Sequence, residues 1–183
     1  MTALIILLGI IGFLVLVVIG IYNNMVALKI RVDNAWSQID VQLKRRNDLI
    51  PNLIETVKGY AAHEKEVFAR VSEARAAMMK GGTVAEQAQA ENMLSGALKS
   101  LFAIAEAYPE LKASENFQML QGQLATTEDQ ISTFRQLYND SVMQYNTVIQ
   151  QFPGNIFAGM FGFALRQFFD IPEAEKAVPQ VKF

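Results

Sequence analysis

The sequence predicts an all-α protein. An N-terminal transmembrane helix continues into a long antiparallel up-down helical bundle, which closes with a short aromatic C-terminal helix. Three observations carry this reading. From Ala3 to Tyr22 no side chain is charged at neutral pH, and the first charged one is Lys29. From Val32 to Met78 apolar residues recur every three or four positions, the spacing of a helix seam. Beyond that, Gly81-Gly82, Tyr108-Pro109 and Pro153-Gly154 cut the chain into helix-length pieces with short connections, and no piece alternates as a strand does. The expected parts are an anchor over residues 1–22, a bundle over 23–153, and an apolar C-terminal helix and tail over 154–183.

The first run has about 20 residues, the length an α-helix needs to cross a hydrocarbon core of about 30 Å. A cleaved signal peptide is the rival reading. It would show a basic start, a shorter core and a small-x-small site, whereas this run ends in Ile21-Tyr22-Asn23-Asn24. A buried helix of a soluble core would carry a polar stripe, which is missing here. Lys29, Arg31, Lys44, Arg45 and Arg46 follow the run and nothing basic precedes it, so the expected topology is single-pass, N-terminus outside and bundle in the cytoplasm. Gly9 and Gly12 miss the spacing of the GxxxG packing motif. No break residue follows Tyr22, so anchor and arm are expected to form one continuous helix.

The seam through Val32, Trp36, Ile39, Leu43, Ile50, Leu53, Val57, Val67, Val71 and Met78 predicts packing at the shallow crossing angle of coiled coils. Unbroken from Asn23 to Lys80, such a helix would extend about 85 Å. Pro51 removes one backbone donor and is expected to kink it; Gly59 is a second weak point, and Gly81-Gly82 ends it. Thr83-Val84-Ala85-Glu86 reads as a capping box, opening a helix with Leu94, Leu98, Leu101 and Ala105 on one face. Ser114-Glu115 starts a third helix, seamed by Phe117, Leu120, Leu124, Ile131, Tyr138 and Tyr145. Asn155 to Phe169 holds Phe157, Phe161, Phe163, Phe168 and Phe169, too short a stretch to span a bilayer. It reads as a cap on the bundle, as an interface for self-association or a partner, or as a segment dipping into the membrane. If the helices alternate in direction, it emerges far from the anchor.

Composition bounds the function. The chain has 183 residues and a net charge of −2, which argues against a nucleic-acid partner. Residues 23–80 hold 10 Lys and Arg against 7 Asp and Glu, leaving 6 against 11 elsewhere. The arm nearest the membrane is thus slightly basic, as a solvated helix surface or as a match to an anionic leaflet. Without cysteine, disulfides, thiolate metal sites and cysteine nucleophiles are excluded.

Arg46 and Glu64 interrupt the apolar seam, and Glu106, Glu128 and Arg135 lie on or beside the other seams. Buried charges cost stability unless paired, so these residues read as ion pairs fixing helix register, or as a polar pocket for a ligand or ion. Glu128 and Arg135 are two turns apart, too far to pair directly. Tyr138-Asn139 and Tyr145-Asn146 repeat at seven residues and are expected to hydrogen-bond across the bundle. His63 is the single histidine, and Val67 stands where a His-Glu-x-x-His zinc motif needs its second one. With no phosphate loop and no nucleophile elbow, the reading is a non-enzymatic protein without cofactor or metal.

Several motifs carry a family resemblance. They are Tyr22-Asn23, the run from Val32-Asp33-Asn34-Ala35-Trp36 to Lys44-Arg45-Arg46, Asp48-Leu49-Ile50-Pro51-Asn52-Leu53, Val57-Lys58-Gly59-Tyr60-Ala61 and His63-Glu64. The second half adds Glu106-Ala107-Tyr108-Pro109-Glu110-Leu111-Lys112-Ala113, Glu128, Arg135, the two Tyr-Asn pairs and Phe152-Pro153. Over essentially the whole chain these resemble the LemA family. The resemblance implies a bacterial single-pass protein of the inner membrane with a cytoplasmic helical bundle and no established enzymatic activity. Family genes often neighbour one for a membrane zinc metalloprotease or other envelope proteins, which implies envelope maintenance or protein quality control. The leading expectation is a membrane-anchored scaffold that self-assembles into a homo-oligomer on the bilayer. The alternative is a binding module or adaptor for a membrane protease or other envelope partner, docking through Arg46, Tyr138, Asn139, Tyr145 and Asn146. A third is an unrecognised metal binder or enzyme using His63 and Glu64.

Overall fold

A computed structural model describes residues 1–169. Among them are six helices and no strand: α1 Thr2–Lys58, α2 Lys65–Met79, α3 Val84–Glu106, α4 Pro109–Lys112, α5 Glu115–Gln150 and α6 Gly154–Phe161. The apolar run and the arm are one helix, as expected. From Leu4 to Ile19 every large apolar side chain except Val18 is exposed, so among the described residues nothing covers the stretch long enough to cross a membrane.

Helix α1 stays helical through Pro51. Proline has no N–H for the carbonyl four residues back, which here is that of Asn47. The Arg75 side chain of α2 replaces the missing donor, its Nε 3.1 Å from the Asn47 oxygen. The helix ends at Gly59, the residue of poorest helix propensity after proline. There the Tyr60 and Ala61 N–H groups both turn back to the Val57 carbonyl. The single helix expected through Lys80 is therefore two helices, α1 and α2. Ala61, in the intervening turn, is buried in the core.

Gly81 at φ 65° and Gly82 at φ 138° follow the end of α2, in backbone conformations that disfavour a Cβ. The capping box forms as read: Glu86 N–H donates to Thr83 Oγ1, and the Thr83 N–H donates back to the Glu86 carboxylate at 2.7 Å. Those bonds from Thr83 hold the Glu86 carboxyl below its usual pKa.

Contacts divide the described residues into two compact units, and α1 and α5 contribute to both. The first comprises Met1–Ser37 and Gln136–Phe168. In it α5 runs antiparallel to α1, with Trp36 against Tyr138 and Met25 against Gly154. The second comprises Gln38–Arg135 together with Phe169. Its core joins Ile50, Leu53 and Val57 of α1 to Phe68 and Val71 of α2, Leu94 and Leu98 of α3, and Phe117 and Leu120 of α5.

The break at Gly59 changes where the chain ends. Four long helices alternate, not three, so α5 returns toward the start of α1. The C-terminal segment expected far from the anchor instead meets it: the Phe161 and Phe163 rings stand edge-on to Tyr22, at 5.0 and 5.7 Å. Its helical part is only α6, which stops at Gly162 in the left-handed conformation (φ 73°), and residues 163–169 have no regular structure. The tail beyond Pro172 lies outside the described residues.

Candidate functional site

The second unit contains a buried group of charges. Arg46 comes from α1, Glu91 and Ser95 from α3, and Glu128 and Arg135 from α5. Arg46 is 5% exposed and Glu91 0%. Arg46 Nη1 donates to Glu91 Oε1, and Nη2 donates to Ser95 Oγ at 3.0 Å. The Ser95 hydroxyl in turn donates to the same Glu91 oxygen at 3.1 Å. Arg135 Nη2 lies 3.3 Å from that oxygen, so one carboxylate oxygen collects three partners. Glu128 Oε2 is 2.7 Å from Arg46 Nη1, in a charge contact that lacks hydrogen-bond alignment. The Arg135 guanidinium also sits 4.7 Å over the Phe169 ring.

Two arginines against two carboxylates leave the cluster formally neutral. That is the condition under which charges are tolerated away from water. Glu91 Oε2, Arg46 Nε and Arg135 Nε have no hydrogen-bond partner among the described residues, so the site is tightly paired but not saturated. A cleft of about 270 Å³ opens beside it, walled by Leu98, Phe102 and Leu124 with Arg46, Ser95 and Glu128 at its polar end. Chemically the arrangement ties three helices at one level. Its one hydroxyl, on Ser95, donates to the Glu91 oxygen that Arg46 and Arg135 also hold.

A different polar set lies in the first unit. Residues 163–169 lack helical hydrogen bonds, so their backbone groups need other partners. Helix α5 supplies them. Tyr138 Oη donates to the Gln167 carbonyl at 2.9 Å and Tyr145 Oη to the Ala164 carbonyl at 3.0 Å. Asn146 bonds both the N–H and the carbonyl of Arg166, each at 2.9 Å. The Tyr-Asn repeat was expected to bridge helices; it straps down an extended segment instead. Tyr138 and Tyr145 are 3% and 1% exposed, and burial pushes both phenols above their ordinary pKa. Nearby Arg166 opposes that rise and Asp33 adds to it. Arg166 also pairs with Asp33 of α1 at 2.7 Å, across 133 positions of sequence.

The remaining candidates scatter. Glu64 is half-buried at the start of α2 and makes no side-chain cap there; Glu106 ends α3 and is exposed. Asn139 is half-buried on α5. Phe157 and Phe163 are half-buried, Phe161 and Phe168 exposed, and Phe169 buried. His63 is exposed in the turn between α1 and α2, and no group of three acidic, histidine or cysteine residues is placed to hold a metal among the described residues. Arg46 falls in the second unit and Tyr138, Tyr145 and Asn146 in the first, and each spends its polar groups on its own chain.

A family model described as the LemA family matches residues 35–183. The chain belongs to the LemA family. Magnetosome protein MamQ 2 of Paramagnetospirillum magneticum is 25% identical over 174 residues, covering 81% of this chain and 64% of its own length. MamQ of Magnetospirillum gryphiswaldense matches to the same extent. Protein LemA of Metamycoplasma hominis is 27% identical over 153 residues, 81% of this chain and 68% of its own. The chain thus spans about two thirds of the length of these relatives, and a little less for the MamQ proteins. Both polar sets of this LemA-family chain lie inside the matched residues, apart from Asp33.

Glu91, Ser95 and Arg166 escaped the sequence reading. Glu91 stands three residues before Leu94, so one further step back along the α3 seam reaches it. For Arg166 no local signal exists, because its partner is set by the return of α5 to α1.

Proposed function

We propose that this LemA-family chain is a non-enzymatic scaffold, anchored in the bacterial inner membrane, which assembles with copies of itself in envelope maintenance or protein quality control. The observation that carries the reading is α1: one helix runs from the apolar stretch into the packed core, while among the described residues nothing covers its side chains from Leu4 to Val17. Any angular preference between neighbouring spans is then transmitted to the bundles rather than lost in a linker. Lys29, Arg31, Lys44, Arg45 and Arg46 favour a cytoplasmic bundle.

Chemical cross-linking in native membranes followed by sizing tests this. The expected result is a series of bands above the dimer. A strictly monomeric species would sink the proposal, and a one-to-one complex with a different envelope protein would replace the scaffold with an adaptor.

A further inference from the structure

Helix α6 is built inside out. Its buried residues are Gly154 and Ala158, the small ones, while Ile156 and Met160 are 52% and 70% exposed. Phe152, in the turn before α6, is 81% exposed, and Phe161 and Leu165 add 45% and 60%. A cap for a water-soluble bundle would turn these side chains inward. The small residues are there for close approach: a Cβ on Gly154 would fall on the Val148 carbonyl and crowd Met25. Close docking of α6 therefore leaves the large apolar side chains on the outside.

The surroundings say what covers them. No charged side chain lies between Asp140 and Arg166 in sequence, so this surface lacks the charges of an ordinary soluble one. Its place along α1 is fixed by Tyr22, the last residue of the apolar run, against which Phe161 and Phe163 stack. Lys29 follows seven residues later, about 10 Å further along the helix. The charged level on the strap side is Arg166, paired to Asp33. The exposed apolar face thus lies at the height where a spanning α1 leaves the hydrocarbon, and where aromatic side chains favour the lipid–water boundary.

We infer that α6 and its flanking Phe152 and Leu165 are a second membrane contact, lying in the headgroup region of the bilayer that α1 spans. The occupant of this face is lipid. The short helix dips its apolar side into the interface, in the manner of monotopic helices, without crossing. Span and interfacial helix together hold the start of the bundle at two points, which sets its tilt on the membrane. This rests on the anchor reading of α1.

The chain has no native cysteine, so single spin labels test it directly. Leu14→Cys, Met143→Cys and Met160→Cys place one label each on exposed positions of the full-length protein, in vesicles of phosphatidylcholine and phosphatidylglycerol. Power saturation with oxygen and a water-soluble nickel chelate reads depth. The expected oxygen-to-nickel ratio at Met160→Cys is several-fold above that at Met143→Cys and below that at Leu14→Cys. A Met160→Cys ratio equal to that at Met143→Cys overturns the interfacial contact while leaving the anchor intact. Shielding from both reagents means the face is covered by protein, and also overturns it. An aqueous reading at Leu14→Cys removes the anchor, and the inference falls with it.

Discussion

Asn146 holds Arg166 on both sides of its residue, donating to the carbonyl and accepting from the N–H, each at 2.9 Å. An asparagine amide presents an acceptor oxygen beside a donor NH2 group, so it can satisfy the N–H and the carbonyl of one residue in a segment without regular structure. Asn146→Ala removes both bonds at an 8% exposed position. The expected cost is about 2 kcal/mol, from two net hydrogen bonds of about 1 kcal/mol each. Hydrogen exchange should show loss of protection at the Arg166 amide before α5 is affected.

The same strap makes the first unit sensitive to alkali. Burial raises the pKa values of Tyr138 and Tyr145, and each neutral hydroxyl donates to a carbonyl, a bond that ionisation destroys. For groups whose folded pKa lies above the unfolded value, stability is complete below the unfolded pKa and falls as pH rises through the folded one. The strap's contribution should therefore hold up to about pH 10 and decline above it. Phenolate absorbance followed together with thermal melting checks this. Tyr138→Phe should lower stability at neutral pH and flatten the alkaline fall.

In the buried cluster, removing one charge strands another. Arg46→Ala leaves Glu91 with only the Ser95 hydroxyl and Arg135, and should cost about 3–5 kcal/mol. The Arg46→Met and Glu91→Leu double variant removes the central pair together and fills the space with apolar groups, leaving the net charge unchanged. Its loss should be smaller than the sum of the two single losses. Chemical denaturation of the four proteins closes the cycle, and additive losses would mean the pair is not coupled.

Two glycines separate packing from propensity. Gly154→Ala drives a Cβ onto the Val148 carbonyl and should destabilise by about 1–3 kcal/mol. Gly122, in the middle of α5, has open space around its Cβ position. Gly122→Ala should stabilise by about 1 kcal/mol, the helix-propensity difference. Thermal melts of both variants read the two signs.

Legibility in the sequence followed range. The N-terminal apolar helix reads from its own residues, and the capping box at Thr83 and Glu86 and the stops at Gly81-Gly82 and Pro153-Gly154 are decided within a turn or two of helix; these read correctly. The end of α1 at Gly59, expected only as a weak point in a helix running on to Lys80, did not. A proline interrupts a helix unless something takes the freed carbonyl, and the Arg75 side chain that takes it comes from another helix. That error, one helix in place of two, carried through to the position of the C-terminus. Arg46, Glu128 and Arg135 stood out as charges on apolar seams, but their common partner Glu91 was seen only once the helices were side by side. The strap was least legible, since an irregular segment's hydrogen bonds depend on what it lies against.

Cysteine scanning of the span in native membranes tests the central claim, that copies of this chain assemble through their anchors. Single cysteines from Leu7 to Val18, oxidised in place, should form disulfide-linked dimers with maxima every three to four residues, marking one face of α1 against its neighbour. Cross-linking at background level at every position, or equally at all of them, would contradict an ordered assembly of this chain through its span.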